Sequence, residues 1–248
     1  MKKKVSILML MGTMLLTSCH FDNFHISFGE KTIEPSSNIV KKEMTQPAFN
    51  KIDIDVIANV KYIQSQGNDY RIVLSAPDNY MELFSFQVKD KQLDVSFTEK
   101  NLNIEPKNVD ITIYAPTIDY LKNSGVASIE VDRLNTDRIE INNSGVGSLY
   151  LSGLNTKQVD AACSGVGSIT LSGTTLEAEL RCTGVGSIKA DGLKANAVVG
   201  RVSGVGGIKC HATESIKAEV SGVGSLQYAG QPQDKELKRT GVGAITEL

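Results

Sequence analysis

The chain has 248 residues, 41% of them hydrophobic, which is enough for one large domain and is an ordinary length for an all-β one. Its formal net charge is −2, and removal of Lys2, Lys3 and Lys4 with a cleaved leader takes that to −5. A nucleic-acid binder should carry a basic stripe, so nucleic acid is excluded as a partner.

The N-terminus has the order of an export signal. "MKKK" is a positive n-region, "VSILMLMGTMLL" an apolar h-region too short to span a bilayer comfortably, and "LTSC" ends at Cys19. Leu16, Thr17 and Ser18 before Cys19 resemble a bacterial lipobox, whose cysteine becomes the acylated first residue of the mature protein. Residues 1–18 are therefore assigned as a lipoprotein signal peptide and Cys19 as the lipidation site, with palmitate-type acyl chains holding the protein to a membrane, expected to be the outer membrane. Residues 19–47, with "EPSSN" and "TQP", have no sustained period and are expected to be a tether. Export implies an oxidising compartment. Beyond Cys19 there remain Cys163, Cys182 and Cys210, an odd number that cannot all pair within one chain.

Residues 48–248 form the folded unit. Between 48 and 120, "KIDIDVIANVKYIQ", "YRIVLSAP", "FSFQVKDKQLDVSF" and "VDITIYAP" alternate apolar and polar residues, as in Ile52, Ile54 and Val56 or Leu93, Val95 and Phe97. These are expected to be irregular coils that lead into a regular rod and close one end of its core.

From 121 to 248 a phrase repeats. Aligned on its first glycine it falls at Gly125, Gly145, Gly165, Gly184, Gly204, Gly222 and Gly241, with spacings of 18 to 20 residues. A fixed period in this range marks a solenoid. Ser or Thr precedes each glycine, valine follows each, and Ile or Leu stands three places after the valine. "VDAACS" and "SITLSG" alternate with period two, so each coil should hold two short strands joined by the glycine corner and by a second corner such as "SGLNT" (Ser152 to Thr156). Coils of equal phase stack their strands in parallel. The expected fold is thus all-β, a right-handed parallel β-helix with coils of about 19–20 residues. Seven coils make a rod of roughly 34 Å. The invariant first glycine is expected at positive φ, the second is expected only to need small bulk because Ala127 stands there, and the valine between them is expected to plug the interior. At the far end Lys235, Arg239 and Glu247 occupy core columns, a charged cap.

A lipobox, "FNKIDIDVIANVKYIQSQGNDYRIVLSAPDN", "VDITIYAPTIDYLKNSGVASIEV" and iterated "SGVGS" together resemble the putative auto-transporter adhesin, head GIN domain family over about residues 48–245. The resemblance implies a β-helical fold, a secreted or lipid-anchored protein of the kind common in Bacteroides-like bacteria, and an adhesive role. It supplies no catalytic residues to carry over.

Few residues offer chemistry. His20 and His25 fall in the tether, leaving His211 as a corner residue, so no histidine-centred metal or cofactor site is expected. Glu140, Asp160 and Glu179 should stack outward in successive coils; such carboxylates either recruit a cation or are neutralised by Arg181, and a solvated charged face is favoured. Cys163 and Cys182 share an inward column with Asn123 and Asn143, and strand spacing is wide for a disulfide, so buried thiols and an internal amide ladder are expected. The favoured function is a lipid-anchored, non-enzymatic binding or adhesion module of the cell envelope. Its partner would be a glycan, an envelope protein or a second copy of itself in a homo-oligomer. The alternatives are a carbohydrate-active β-helix enzyme of the polysaccharide-lyase kind and a purely structural envelope component.

Overall fold

The computed structural model describes residues 31–248 apart from Asn101 and Pro106, so the signal peptide and Cys19 lie outside the described residues. In the second half each turn of chain returns beside its own start. Strand Arg138–Asn143 bends at Ser144 and Gly145 into Val146–Asn155, and after Thr156 and Lys157 the chain re-enters as Gln158–Cys163, parallel to Arg138–Asn143. Alternation then does what period two requires: Ile139, Ile141, Leu149 and Leu151 point inward and are buried, and Val159, Ala161, Ile169 and Leu171 repeat them one rung on. The column Ile129, Leu149, Ile169, Ile188, Ile208, Leu226, Ile245 stays in register throughout. The protein is a β-solenoid of stacked parallel coils around one continuous core.

The second corner is more than a turn. Leu134–Asn135 pairs with Leu154–Asn155, which pairs with Gly173 and Thr174 after a register irregularity, so a short third strand lies inside the segment expected to be a plain corner. Its inward Leu134, Leu154 and Leu193 close the core on that side. Length variation is absorbed here as well. The 18-residue repeat skips residues where Ala190 and Lys194 face the consecutive Cys210 and His211, which places His211 at the corner, as expected.

The first half departs from expectation. Lys51–Asp55 lies between Tyr120–Asn123 and Gln92–Phe97, and Ile57–Gln64 lies between Val126–Val131 and Asp110–Ala115, all parallel. Residues 51–64 and 92–115 therefore do form rungs, but they stack out of chain order: the later one lies outermost and the chain steps back over the earlier one to start the regular rod. Beyond them the strands turn antiparallel. Phe84–Lys89 pairs with Gln92–Phe97 through a two-residue turn in which Asp90 (φ 50°) and Lys91 (φ 62°) both adopt the left-handed geometry of a type I′ hairpin. Arg71–Pro77 seals Asp110–Ala115 in the same antiparallel sense.

Part of the span 19–47, expected to be a tether, is strand. Ile39–Thr45 is the outermost strand, antiparallel to Arg71–Pro77, and Lys31–Ile33 pairs with Leu102–Ile104. Only Val40 and Met44 of the seven residues in Ile39–Thr45 are partly buried, while Lys41, Lys42 and Glu43 face water. An edge strand defended by charge in this way carries almost no alternation to read.

At the opposite end the charged cap is present. Lys235, Arg239 and Glu247 continue the columns of Ile216, Val220 and Tyr228, and Lys235 Nζ donates to Glu247 at 2.9 Å while Tyr228 OH donates to the same carboxylate at 3.1 Å.

Candidate functional site: a charged face and a valine-lined groove

The outward side chains of the first strand in each rung build a ladder of ion pairs. Asp53 meets Lys122 at 2.9 Å near one end, and Lys217 meets Glu236 at 2.8 Å near the other. Glu140, Asp160 and Glu179 do occupy successive positions of one column. Arginines reach across from the next outward column. Arg181 binds Asp160 at 2.6 Å and Glu179 at 2.8 Å, Arg201 also binds Glu179, and Asn142 donates to Glu140 at 2.9 Å. Burial works against ionising Glu179, but the hydrogen bonds and charges of Arg181 and Arg201 outweigh it and hold the carboxyl below its ordinary range. Of the two readings left open for these carboxylates, neutralisation by Arg181 is the one the geometry supports. Among the described residues, no group of three or more His, Cys, Asp or Glu side chains is placed to hold a metal ion.

Inside the same strands runs the column Asn123, Asn143, Cys163, Cys182, Val202, Val220. Asn123 donates to Asn143 at 2.9 Å, the expected amide link. Asn143 Nδ2 also donates to the carbonyl of Gly147 at 3.1 Å, and Cys182 Sγ to that of Gly186 at 3.3 Å. Each donor thus ties down the second glycine of its own corner from inside. Cys163, Cys182 and Cys210 are free and buried. The neighbouring Cys182 thiol, and then burial, push Cys163 well above the ordinary thiol range; burial pushes Cys210 up to about 12. These thiols are core residues, closed to reagents and substrates.

The corner itself corrects three expectations. Strict alternation from Cys163 to Ile169 makes Gly165 and Gly167 the inward-phase residues and Val166 the outward one. Val146, Val166, Val185, Val205, Val223 and Val242 accordingly face solvent, with exposures rising from 37% at Val146 to 85% at Val242. They plug nothing. The first glycine is not at positive φ; instead, a Cβ on Gly165 would be driven into the carbonyl oxygen of Gly145. The second glycine needs more than small bulk. Gly147 adopts φ 127°, and a Cβ there would strike the carbonyl of Ala127. Apart from Ala127 in the first rung, both columns are glycine because, at the corner, a side chain would point along the rod axis into the backbone of the rung before.

At its N-terminal end the valine stripe borders an open groove of about 750 Å³, floored by Val126, Val146 and Val166 and walled by Phe97, Lys100 and Leu102. Neither the groove nor the stripe was anticipated, although the alternation across "CSGVGSI" already places the valine outward.

The model of a family described as putative auto-transporter adhesin, head GIN domain, matches residues 48–232. A solved structure of a putative adhesin from Bacteroides fragilis is 37% identical, with a TM-score of 0.84 over 87% of this chain and 100% of that one. A putative adhesin from Parabacteroides merdae, at 24% identity and TM-score 0.68, covers 88% of this chain and 99% of its own. A putative lipid binding protein from Parabacteroides distasonis, at 20% and 0.73, covers 88% and 100%. The last two share the fold. No curated protein matches.

Proposed function

We propose that this chain, which belongs to the putative auto-transporter adhesin, head GIN domain family, is a lipid-anchored binding module of the cell envelope that performs no catalysis. A binding role follows from that membership. The observation that carries the absence of catalysis and the kind of partner is the charged face. Its carboxylates are already matched by arginines and an asparagine in fixed positions, one rung every 4.8 Å or so, on a surface built of strands. Acid–base catalysis needs a carboxyl with a poised pKa in a cleft. A flat periodic lattice of donors and acceptors suits an extended polar partner instead, either an envelope glycan or the strand edge of an envelope protein.

Binding of the full chain to immobilised glycans and to isolated envelope proteins tests this reading. Arg181→Ala with Arg201→Ala should weaken capture about tenfold or more, as expected when two charge-assisted hydrogen bonds are lost. Unchanged capture by the double variant would remove the charged face from the proposal, and turnover of a polysaccharide by the parent chain would overturn it. The anchor rests on "LTSC". Cys19→Ala should shift the processed protein from the detergent phase to the aqueous phase, and retention with the membrane would show that Cys19 is not the acylated residue.

A further inference from the structure

We infer that the second corner of the early rungs is a binding site for an acidic oligosaccharide, centred on Asn135. Three adjoining hollows of about 590, 490 and 530 Å³ open there, and Asn135 lines all of them. Each volume falls in the range of small-molecule sites, and together they suit a ligand built of successive ring-sized units. The hollows lie at the other end of the first strand from the glycine corner, so they are separate from the valine stripe.

Charge in the hollows is unevenly matched. The carboxylates are already engaged: Lys61 binds Asp132 at 2.7 Å, Lys157 binds Asp137 at 2.8 Å, and Asn50 Nδ2 donates to Asp119 at 2.6 Å. Arg133 lines the first hollow and Arg138 the second, and both are exposed. Among the described residues neither guanidinium has a hydrogen-bond or ion-pair partner. An unmatched guanidinium presents a planar fork of donors that fits a carboxylate or a sulfate. Asn135 and Asn155 stand opposite each other in adjacent rungs, and their side-chain amides are likewise unpartnered among the described residues. Amides of this kind both donate to and accept from hydroxyls. Leu176, 53% exposed in the third hollow, offers apolar surface to the C–H face of a sugar ring.

Other anions fit less well. An acidic peptide adds a strand to an open sheet edge, but the backbone of Asn135 is already capped. Gln64 Nε2 donates to its carbonyl at 3.0 Å, and its N–H donates to Gln64 Oε1 at 2.9 Å. On the other side Leu134–Asn135 pairs with Leu154–Asn155. An anionic bilayer is read by clusters of about four to eight Lys or Arg, whereas Arg133 and Arg138 are the unmatched cations of these hollows among the described residues. The charged face does not compete for the same ligand, because Arg181 and Arg201 are already bound to Asp160 and Glu179.

The test measures capture of the full chain on an array of carboxylated, sulfated and neutral oligosaccharides, with hexaglutamate and phosphatidylglycerol vesicles beside it. Carboxylated or sulfated oligosaccharides should be held about tenfold more tightly than neutral ones of the same length. Arg133→Gln with Arg138→Gln should lower that capture about tenfold, and Asn135→Ala with Asn155→Ala about threefold or more. All four side chains are exposed, and circular dichroism checks that the fold is intact. Arg181→Ala with Arg201→Ala should leave capture of the acidic oligosaccharides unchanged, so the hollows and the charged face stand or fall separately. A loss confined to that variant would assign the ligand to the charged face and overturn this site. Tighter capture of neutral oligosaccharides, of hexaglutamate or of the vesicles would overturn it as well. So would no capture of any acidic oligosaccharide, or equal loss in the two arginine variants.

Discussion

At Gly165 and Gly167 the relevant physics is a single missing atom. A Cβ at either position would penetrate the carbonyl oxygen of the equivalent glycine one rung earlier, and no rotamer relieves a Cβ. Gly165→Ala and Gly167→Ala are both expected to cost about 1–3 kcal/mol as overpacking against backbone. Gly167→Ala should be the worse of the two, because its φ of 158° adds backbone strain that Gly165 does not share. Val166→Ala, between them, removes a side chain that is already 56% exposed and should change stability by less than about 0.5 kcal/mol. Denaturation midpoints of the three variants, with m-values compared to the parent, check the order. A large loss for Val166→Ala would show that the valine is packed after all.

Strands in register turn single residues into columns, and the columns interact as units. The carboxylate column and the arginine column of the charged face are such a pair, with Glu179 held between Arg181 and Arg201. Because its folded carboxyl titrates below the ordinary value of 4.5, its stabilisation is fully present above that value and is lost as pH falls through the lower, folded one. Glu179→Gln should therefore destabilise the protein at pH 7, and the difference from the parent should fade as the pH falls below 4.5 and through the lower, folded value. The side chain is 37% exposed, so solvent screening limits the loss to about 0.5 kcal/mol. Thermal midpoints of parent and variant from pH 3 to pH 7 measure it. A difference that is independent of pH would mean that packing, not charge, is what Glu179 contributes.

Across the whole molecule each rung touches only its neighbours, so stability is close to a sum of rung terms and rung–rung terms. The two ends are closed by unlike means. The N-terminal end carries antiparallel strands over a core that includes Phe49, Tyr62, Tyr80 and Ile118. The C-terminal end carries only a charged rung, whose strand Asp234–Arg239 is exposed at every residue. Local opening should therefore begin there. Native-state hydrogen exchange is expected to be fastest over 234–247 and slowest over the middle rungs, 139–202, with protection rising rung by rung. A uniform profile would show that the rod opens as one cooperative unit.

How much of this was legible depended on the range of the interaction. Alternation and an 18- to 20-residue period are local, so the strands, the parallel stacking, the inward Ile and Leu columns, the Asn123–Asn143 ladder and the charged cap could all be read from the chain. So could the outward valine, had the alternation been followed through "SGVGS" instead of being broken for a plug. The carboxylate column was legible too, but its pairing with arginines required knowing which neighbours the register brings within 3 Å. The order of the first rungs was not legible. Residues 51–64 and 92–115 carry the same period-two pattern whichever lies outermost, and an antiparallel strand alternates as a parallel one does. Ile39–Thr45 was hidden because an edge strand buries little and is defended by charge. What the sequence by itself determined is the repeating unit and which way its side chains face, since these depend on adjacent residues alone. Only the tertiary structure decided how the stack is ordered and sealed, because the pairing of strands distant in sequence is set by which edges and apolar ends would otherwise be left open to water.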